Sequence, residues 1–152
     1  MTDRAMAHAP PLATIGYESS TLADVIGRLQ AAKVELLIDV RAVSASRRPG
    51  FSKSMLAASL AEAGIDYLHL RALGTPKSGR EAARDGRTQE MRKIYEAHLE
   101  EPDAQAQLAQ ATEASERRRA ALLCYEADAA RCHRTIVAER ISAATGARVT
   151  DL

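Results

Sequence analysis

The sequence predicts an α/β fold, a three-layer sandwich with a mostly parallel sheet of about five strands between helices. Three observations predict it. Short apolar runs alternate along the chain with segments whose apolar residues recur at helical spacing, and such alternation implies parallel strands joined by crossovers. The run Leu36-Leu37-Ile38 is apolar without interruption, as in strands covered on both faces. Polar, arginine-bearing stretches follow the strand candidates, at the edge where open α/β sheets bind ligands.

The elements follow in order. Residues 1–11 read as a disordered tail, and residues 12–152 as a single α/β domain. Leu12 to Gly16 is a first strand. Thr21 with Asp24 three residues on fits a capping box, and Leu22, Val25, Ile26 and Leu29 fall on one helix face behind it. Val34 to Val40 is a buried second strand. A polar loop from Ala42 to Ser52 precedes a helix capped by Ser52, running through Ala63 and stopped by Gly64. Ile65 to Leu70 is a third strand. Arg71 to Arg87 is long, polar and glycine-containing, and reads as a functional loop or lid. Thr88 to Leu99 is a helix that stops before Pro102. Asp103 caps another, through about Arg117. Ala120 to Cys124 is a fourth strand. Asp128 caps a last helix with Ile136, Val137, Ile141 and Ala144 on its buried face and Gly146 at its end. Ala147 to Asp151 is a short fifth strand.

Bulk properties exclude several classes. The net charge is +1, so a broad electrostatic footprint for nucleic acid or membrane is not indicated. No apolar run approaches the ~20 residues of a membrane span. The first residues carry no hydrophobic signal segment, and two cysteines make no secreted disulfide framework. The expected compartment is the cytoplasm.

Chemistry-bearing residues fall just after the strands. Asp39 and Arg41 follow the second, with Arg47 and Arg48 further along the same connection, and Lys77 and Arg80 follow the third. Cys124 ends the fourth strand, with Glu126 two residues on and Cys132, His133 and Arg134 at the start of the next helix. The arginines present rigid forks for phosphate or carboxylate oxygens, so Arg41, Arg47 and Arg134 are candidates for binding an anion. Asp39 joins the candidate substrate site as the residue that orients Arg41 by an ion pair or else caps the loop. Cys124, Glu126, Cys132 and His133 are candidates for acid–base or nucleophilic work. A thiol near a helix N-terminus and an arginine ionises more readily, which favours Cys132 over Cys124. Each has a plainer alternative. Buried cysteines commonly act as small hydrophobes, arginines in loops are commonly solvated, and Glu126 can serve a structural ion pair.

Sharper motifs are excluded. A phosphatase or rhodanese-type thiolate loop needs an arginine six residues after its cysteine, and that position is Ala130. Cys124 and Cys132 are not a C-x-x-C pair, and no phosphate-binding or dinucleotide glycine motif is present. Adjacent helix residues point about 100° apart, so Cys132 and His133 are not expected to bind one ion, and no metal or cofactor is assigned.

The segments Thr14-Ile15-Gly16-Tyr17, Leu37-Ile38-Asp39-Val40-Arg41, Ser46-Arg47-Arg48-Pro49-Gly50-Phe51-Ser52, Tyr67-Leu68-His69-Leu70 with Leu73-Gly74, and Leu123-Cys124-Tyr125-Glu126 through Cys132-His133-Arg134 resemble the bacterial and archaeal "domain of unknown function 488" family. The similarity covers nearly the whole chain beyond the tail. It departs at Tyr17, where many relatives carry histidine. The resemblance implies an α/β fold and marks Asp39, Arg41, Cys124, Glu126, Cys132, His133 and Arg134 as signature positions. It implies no reaction. Three functional expectations stand: an enzyme acting on a small anionic or nucleotide-like substrate, a non-catalytic module binding a nucleotide or nucleic-acid end, and a thiol-based redox sensor.

Overall fold

Alternation decides how the apolar runs pack. In β4 (Ala120–Cys124), Ala120, Leu122 and Cys124 join one hydrophobic cluster while Ala121 and Leu123 join another. β2 (Leu36–Asp39) divides the same way, with Leu36 and Ile38 on one face and Leu37 on the other. A strand buried on both faces needs a layer of helices on each. The computed structural model, which describes residues 9–152, has this arrangement. Residues 1–8 of the expected tail lie outside the described residues.

With β1 (Leu12–Gly16), β3 (Asp66–His69) and β5 (Val149–Asp151), the strands form one sheet in the order β3-β2-β4-β1-β5, every pairing parallel. Helices α1 (Leu22–Ala31) and α2 (Lys53–Glu62) cover one face through Val25, Leu29, Leu56 and Leu60. Helices α3 (Lys77–Arg84), α4 (Thr88–His98), α5 (Pro102–Arg117) and α6 (Arg134–Thr145) cover the other, contributing Ala82, Met91, Tyr95, Ala111, Ile136, Val137 and Ile141. Full burial of one such large apolar side chain stabilises by roughly 1.5–3 kcal/mol.

This order creates a crevice. The chain leaves β1 and β2 toward the α1/α2 face, and leaves β4, which lies between them, toward the opposite face. Where adjacent strands send their connections to opposite sides, the loops part and ligands find room. The exits of β1, β2 and β4 meet there.

Four expectations change. The stretch Arg71 to Arg87 is not an irregular loop: a 3-10 turn, Arg71–Leu73, leads into α3. Gly79, one of the glycines of that stretch, is a buried helix position. A Cβ there would stand 2.3 Å from the Thr75 side chain and 3.3 Å from that of Ile94 on α4. Asp103 does not cap α5, because Pro102 already occupies its first turn behind Glu101. Asp128 caps not the last helix but a 3-10 turn, Ala129–Arg131, by accepting from the Ala130 N–H at 3.0 Å. Cys132 therefore lies outside the helix in extended conformation, and His133 is the N-cap of α6. Ser52 precedes α2 as expected, but its hydroxyl bonds Ser46 rather than the helix.

Candidate functional site

The exits of β1, β2 and β4 are locked together before any chemistry is considered. Asp39, at the end of β2, is wholly buried, and its carboxylate receives four hydrogen bonds. Oδ1 accepts from the Arg41 backbone N–H at 3.0 Å and from Nε at 2.9 Å. Oδ2 accepts from Arg41 Nη2 at 2.7 Å and from the Tyr67 hydroxyl at 2.5 Å. Arg41 Nη1 donates to the Tyr17 hydroxyl at 3.0 Å and to the Phe51 carbonyl at 2.8 Å. Burial alone would lower the Arg41 pKa, but the Asp39 carboxylate outweighs it and holds the guanidinium charged. Burial and the same carboxylate hold the Tyr67 phenol protonated above its ordinary range. The Tyr17 ring stacks on Phe51 at 4.3 Å and meets Tyr125 edge-on at 5.4 Å.

On the other side of β4, Gly16 pairs in register with Cys124. A Cβ on Gly16 would fall 1.7 Å from the Glu126 carbonyl oxygen, so glycine is what lets the chain leaving β4 cross this close. Arg134, 1% exposed, donates from Nη1 to that carbonyl at 2.5 Å and from Nη2 to the Ala127 carbonyl at 3.4 Å. Glu18 accepts from the Ala127 N–H at 3.1 Å. Arg41 and Arg134, expected to bind an anion, thus turn their terminal nitrogens to protein groups and help build the site's walls, while the buried Arg134 Nε has no partner among the described residues. Arg134 does not line the cavity, nor does Asp39. Arg47 is exposed on the loop before α2, away from it.

A cavity of about 360 Å³ opens above these exits. Arg41, Cys124, Glu126 and His133 line it, with Tyr17, Tyr125 and Met91 on its sides. Its rim carries Arg80 and Arg84 from α3 and Arg131 from the 3-10 turn, all exposed. Arg84 and Arg131 have no ion-pair partner among the described residues. Arg84 and Arg131 were missed as site residues. The spacing Arg80–Arg84 on a segment bounded by Pro76 and Gly86 was the available signal, since residues four apart share a helix face.

The buried cluster at the cavity floor brings together all four residues expected to do chemistry. His133 Nδ1 lies 3.6 Å from Cys124 Sγ and 3.8 Å from Cys132 Sγ. Its Nε2 is 2.7 Å from the Val40 carbonyl oxygen. Glu126 Oε1 stands 3.6 Å from Cys124 Sγ. The Tyr95 ring packs edge-on against the imidazole at 5.0 Å, its hydroxyl donating to the Leu73 carbonyl at 2.6 Å. Both cysteines are free. Cys124 lines the cavity at 5% exposure, whereas Cys132 is 2% exposed and does not.

Proximity sets the electrostatics. A hydrogen bond to Cys132 and burial push the Cys124 thiol up. Burial would raise Cys132 too, but the Cys124 hydrogen bond, His133 and Arg134 bring it well below the usual thiol range. Burial, then the neighbouring Cys132, push Glu126 up to about 7. Burial would lower His133, and Cys132 and the Val40 carbonyl reverse that. The two sulfur atoms and a ring nitrogen of His133 lie within 4.8 Å of one another, and among the described residues these three form a set able to hold a metal ion. The spacing argument against such a set assumed that Cys132 was helical, and it is not.

A search of curated proteins and a search of solved structures found no match. Residues 21–141, spanning α1 to the body of α6 and including Asp39, Arg41, Cys124, Glu126, Cys132, His133 and Arg134, match the family described as Domain of unknown function DUF488, and the chain belongs to that family.

Proposed function

We propose that the protein is an enzyme acting on a small anionic substrate, nucleotide-sized at most, held at the carboxyl ends of the strands. One observation carries the reading. A thiol, a carboxyl group and an imidazole share the floor of a cavity whose rim carries three exposed arginines. Its volume suits a small molecule, since ligand sites run from about 300 to 1,000 Å³. Guanidinium forks at the mouth suit phosphate or carboxylate oxygens. An anion-binding module needs that rim but has no use for the buried cluster beneath it. Glu126 is the acid–base group in this reading, because it lines the cavity and its side chain is in no ion pair among the described residues.

The test separates binding from turnover. Binding of nucleoside monophosphates and hydrolysis of a panel of phosphate and carboxylate esters are measured for the wild type, Glu126→Gln and Arg84→Glu. Glu126→Gln should leave binding within about twofold and reduce turnover by about 10²–10⁴-fold, the usual contribution of a positioned acid–base group. Arg84→Glu should weaken binding. Turnover insensitive to Glu126→Gln overturns the enzyme reading. Binding without turnover across the panel supports the binding module instead.

A further inference from the structure

We propose that Cys124, Cys132 and His133 form a binding site for a zinc-class divalent metal ion, with its fourth coordination position open to the cavity beside Glu126. The site stands on its own geometry; its part in chemistry rests on the enzyme reading above.

Distances come first. Zinc–sulfur and zinc–nitrogen bonds of about 2.3 Å and 2.0–2.1 Å give tetrahedral S···N edges of about 3.6 Å. The two S···N separations are 3.6 and 3.8 Å. All three donor atoms lie within 4.8 Å of one another and all three residues are buried. An ion fits between them with little rearrangement.

The imidazole is already oriented. The Val40 carbonyl only accepts, so Nε2 at 2.7 Å carries the hydrogen in the neutral ring. The lone pair is left on Nδ1, which faces the two sulfurs. Metal-binding histidines are held this way, their second nitrogen donating to a carbonyl or carboxylate. The Tyr95 ring against the imidazole restricts its rotation.

Charge and softness select the ion. Two thiolates and a neutral imidazole cancel the charge of a dication, so the occupied site is neutral, and a neutral group is far cheaper to bury than an isolated ion. Binding is an acid–base exchange: each thiol loses its proton to solvent as its sulfur bonds the metal, and nothing is oxidised or reduced. Thiolate and imidazole suit zinc, whereas magnesium and calcium require oxygen donors.

The fourth position follows from what lines the cavity. Cys124, His133 and Glu126 line it and Cys132 does not, so the trio's open side faces the cavity. Glu126 lies beside Cys124 but outside the mutually close set of donors. Three protein ligands with one open position is the pattern of catalytic rather than structural zinc. The metal would polarise a water or a substrate oxygen there, with Glu126 placed to exchange protons with it.

The full chain, purified without metal-affinity resin, is reduced, stripped with a chelator and titrated with cobalt(II). One equivalent should bind, giving the visible bands of tetrahedral cobalt and a near-ultraviolet thiolate-to-cobalt band, and zinc should abolish both. Cys132→Ser and His133→Ala should weaken cobalt binding by about 100-fold or more, at least the effect of losing a second-sphere partner. Glu126→Gln should keep the stoichiometry. If the ligand variants do not fold, the wild-type spectrum decides. No cobalt spectrum in the reduced wild type, an octahedral spectrum, or a spectrum unchanged in folded ligand variants overturns the proposal. Because the readout is metal uptake, its failure leaves the turnover test of Glu126→Gln standing.

Discussion

Replacing Asp39 by asparagine tests whether the buried pair with Arg41 holds the site together. The carboxylate receives four hydrogen bonds, three of them from Arg41, and the two side chains are 0% and 5% exposed. Asparagine keeps the shape but offers one acceptor oxygen and turns an amide against donors. It also leaves the Arg41 charge buried and unpaired. Removing one partner of a buried pair costs about 3–5 kcal/mol, a large share of a typical total of about 5–15 kcal/mol. For a chain of this length, ~4 kcal/mol lowers Tm by ~8–16 °C. In urea, with a slope of ~2 kcal/mol/M, the midpoint falls by ~2 M. Equilibrium unfolding followed by circular dichroism measures both. A second arm isolates the pair: Asp39→Leu with Arg41→Met removes both charges, and the double variant should be less destabilised than the sum of the single ones. A loss below about 1 kcal/mol for Asp39→Asn, the range of exposed ion pairs, would refute the reasoning.

Two further outcomes follow from neighbouring contacts. Gly16→Ala places a Cβ against the Glu126 carbonyl, so the backbone must move by more than an ångström and disturb the Arg134 bond. Overpacking of this kind costs about 1–3 kcal/mol, and the variant should lose that much in urea unfolding while also weakening cobalt uptake at Cys124. Tyr67 supplies a pH signature. Its folded pKa is raised by burial and Asp39, so its stabilisation is complete below the ordinary phenol value of about 10 and is lost as pH rises past it. Tyr67→Phe should be less stable than the wild type at neutral pH, and the gap should close in alkaline unfolding curves. A gap that stays constant to high pH would mean that the Asp39 contact does not hold the phenol.

The fold was legible because its signals are local. Apolar runs such as Leu36-Leu37-Ile38 and Ala120 to Cys124 have no soluble alternative to a two-sided strand, and helix periodicity marked α1, α4 and α6. The helix α3 was not legible, because Gly79 reads as a breaker in sequence and only the approach of Thr75 and Ile94 shows why it is glycine. At the site, the sequence named residues that the structure brings together, but not how their polar groups are engaged. An arginine's residue type shows that it can bind an anion, not whether its donors are free. Arg41 and Arg134 proved to be occupied by Asp39, Tyr17 and backbone carbonyls. Placing Asp128 at the start of α6 made Cys132 helical, and one short 3-10 turn reverses that reading. Turns of three residues carry no periodicity, so pattern alone does not find them.

The two kinds of arginine explain why the site has this composition. A floor of thiols, imidazole and carboxyl group is useful only if its members stay within a fraction of an ångström of a working geometry. Here each comes from a chain segment just leaving a strand or a turn, where backbone pairing ends. Something must replace the lost ladder. Arg41 does so between β2, the β1 exit and the loop before α2, and Arg134 does so between α6 and the chain leaving β4. Only a guanidinium has enough fixed donors to bond several acceptors at once from one position. Lysine at 41 or 134 would keep the charge but lose the fork. On the rim, Arg80 donates to the Thr75 carbonyl at 2.9 Å, whereas Arg84 and Arg131 are exposed and have no ion-pair partner among the described residues. Burial therefore separates the arginines that hold the scaffold from those that face solvent at the cavity mouth, and sequence, in which all of them look alike, does not.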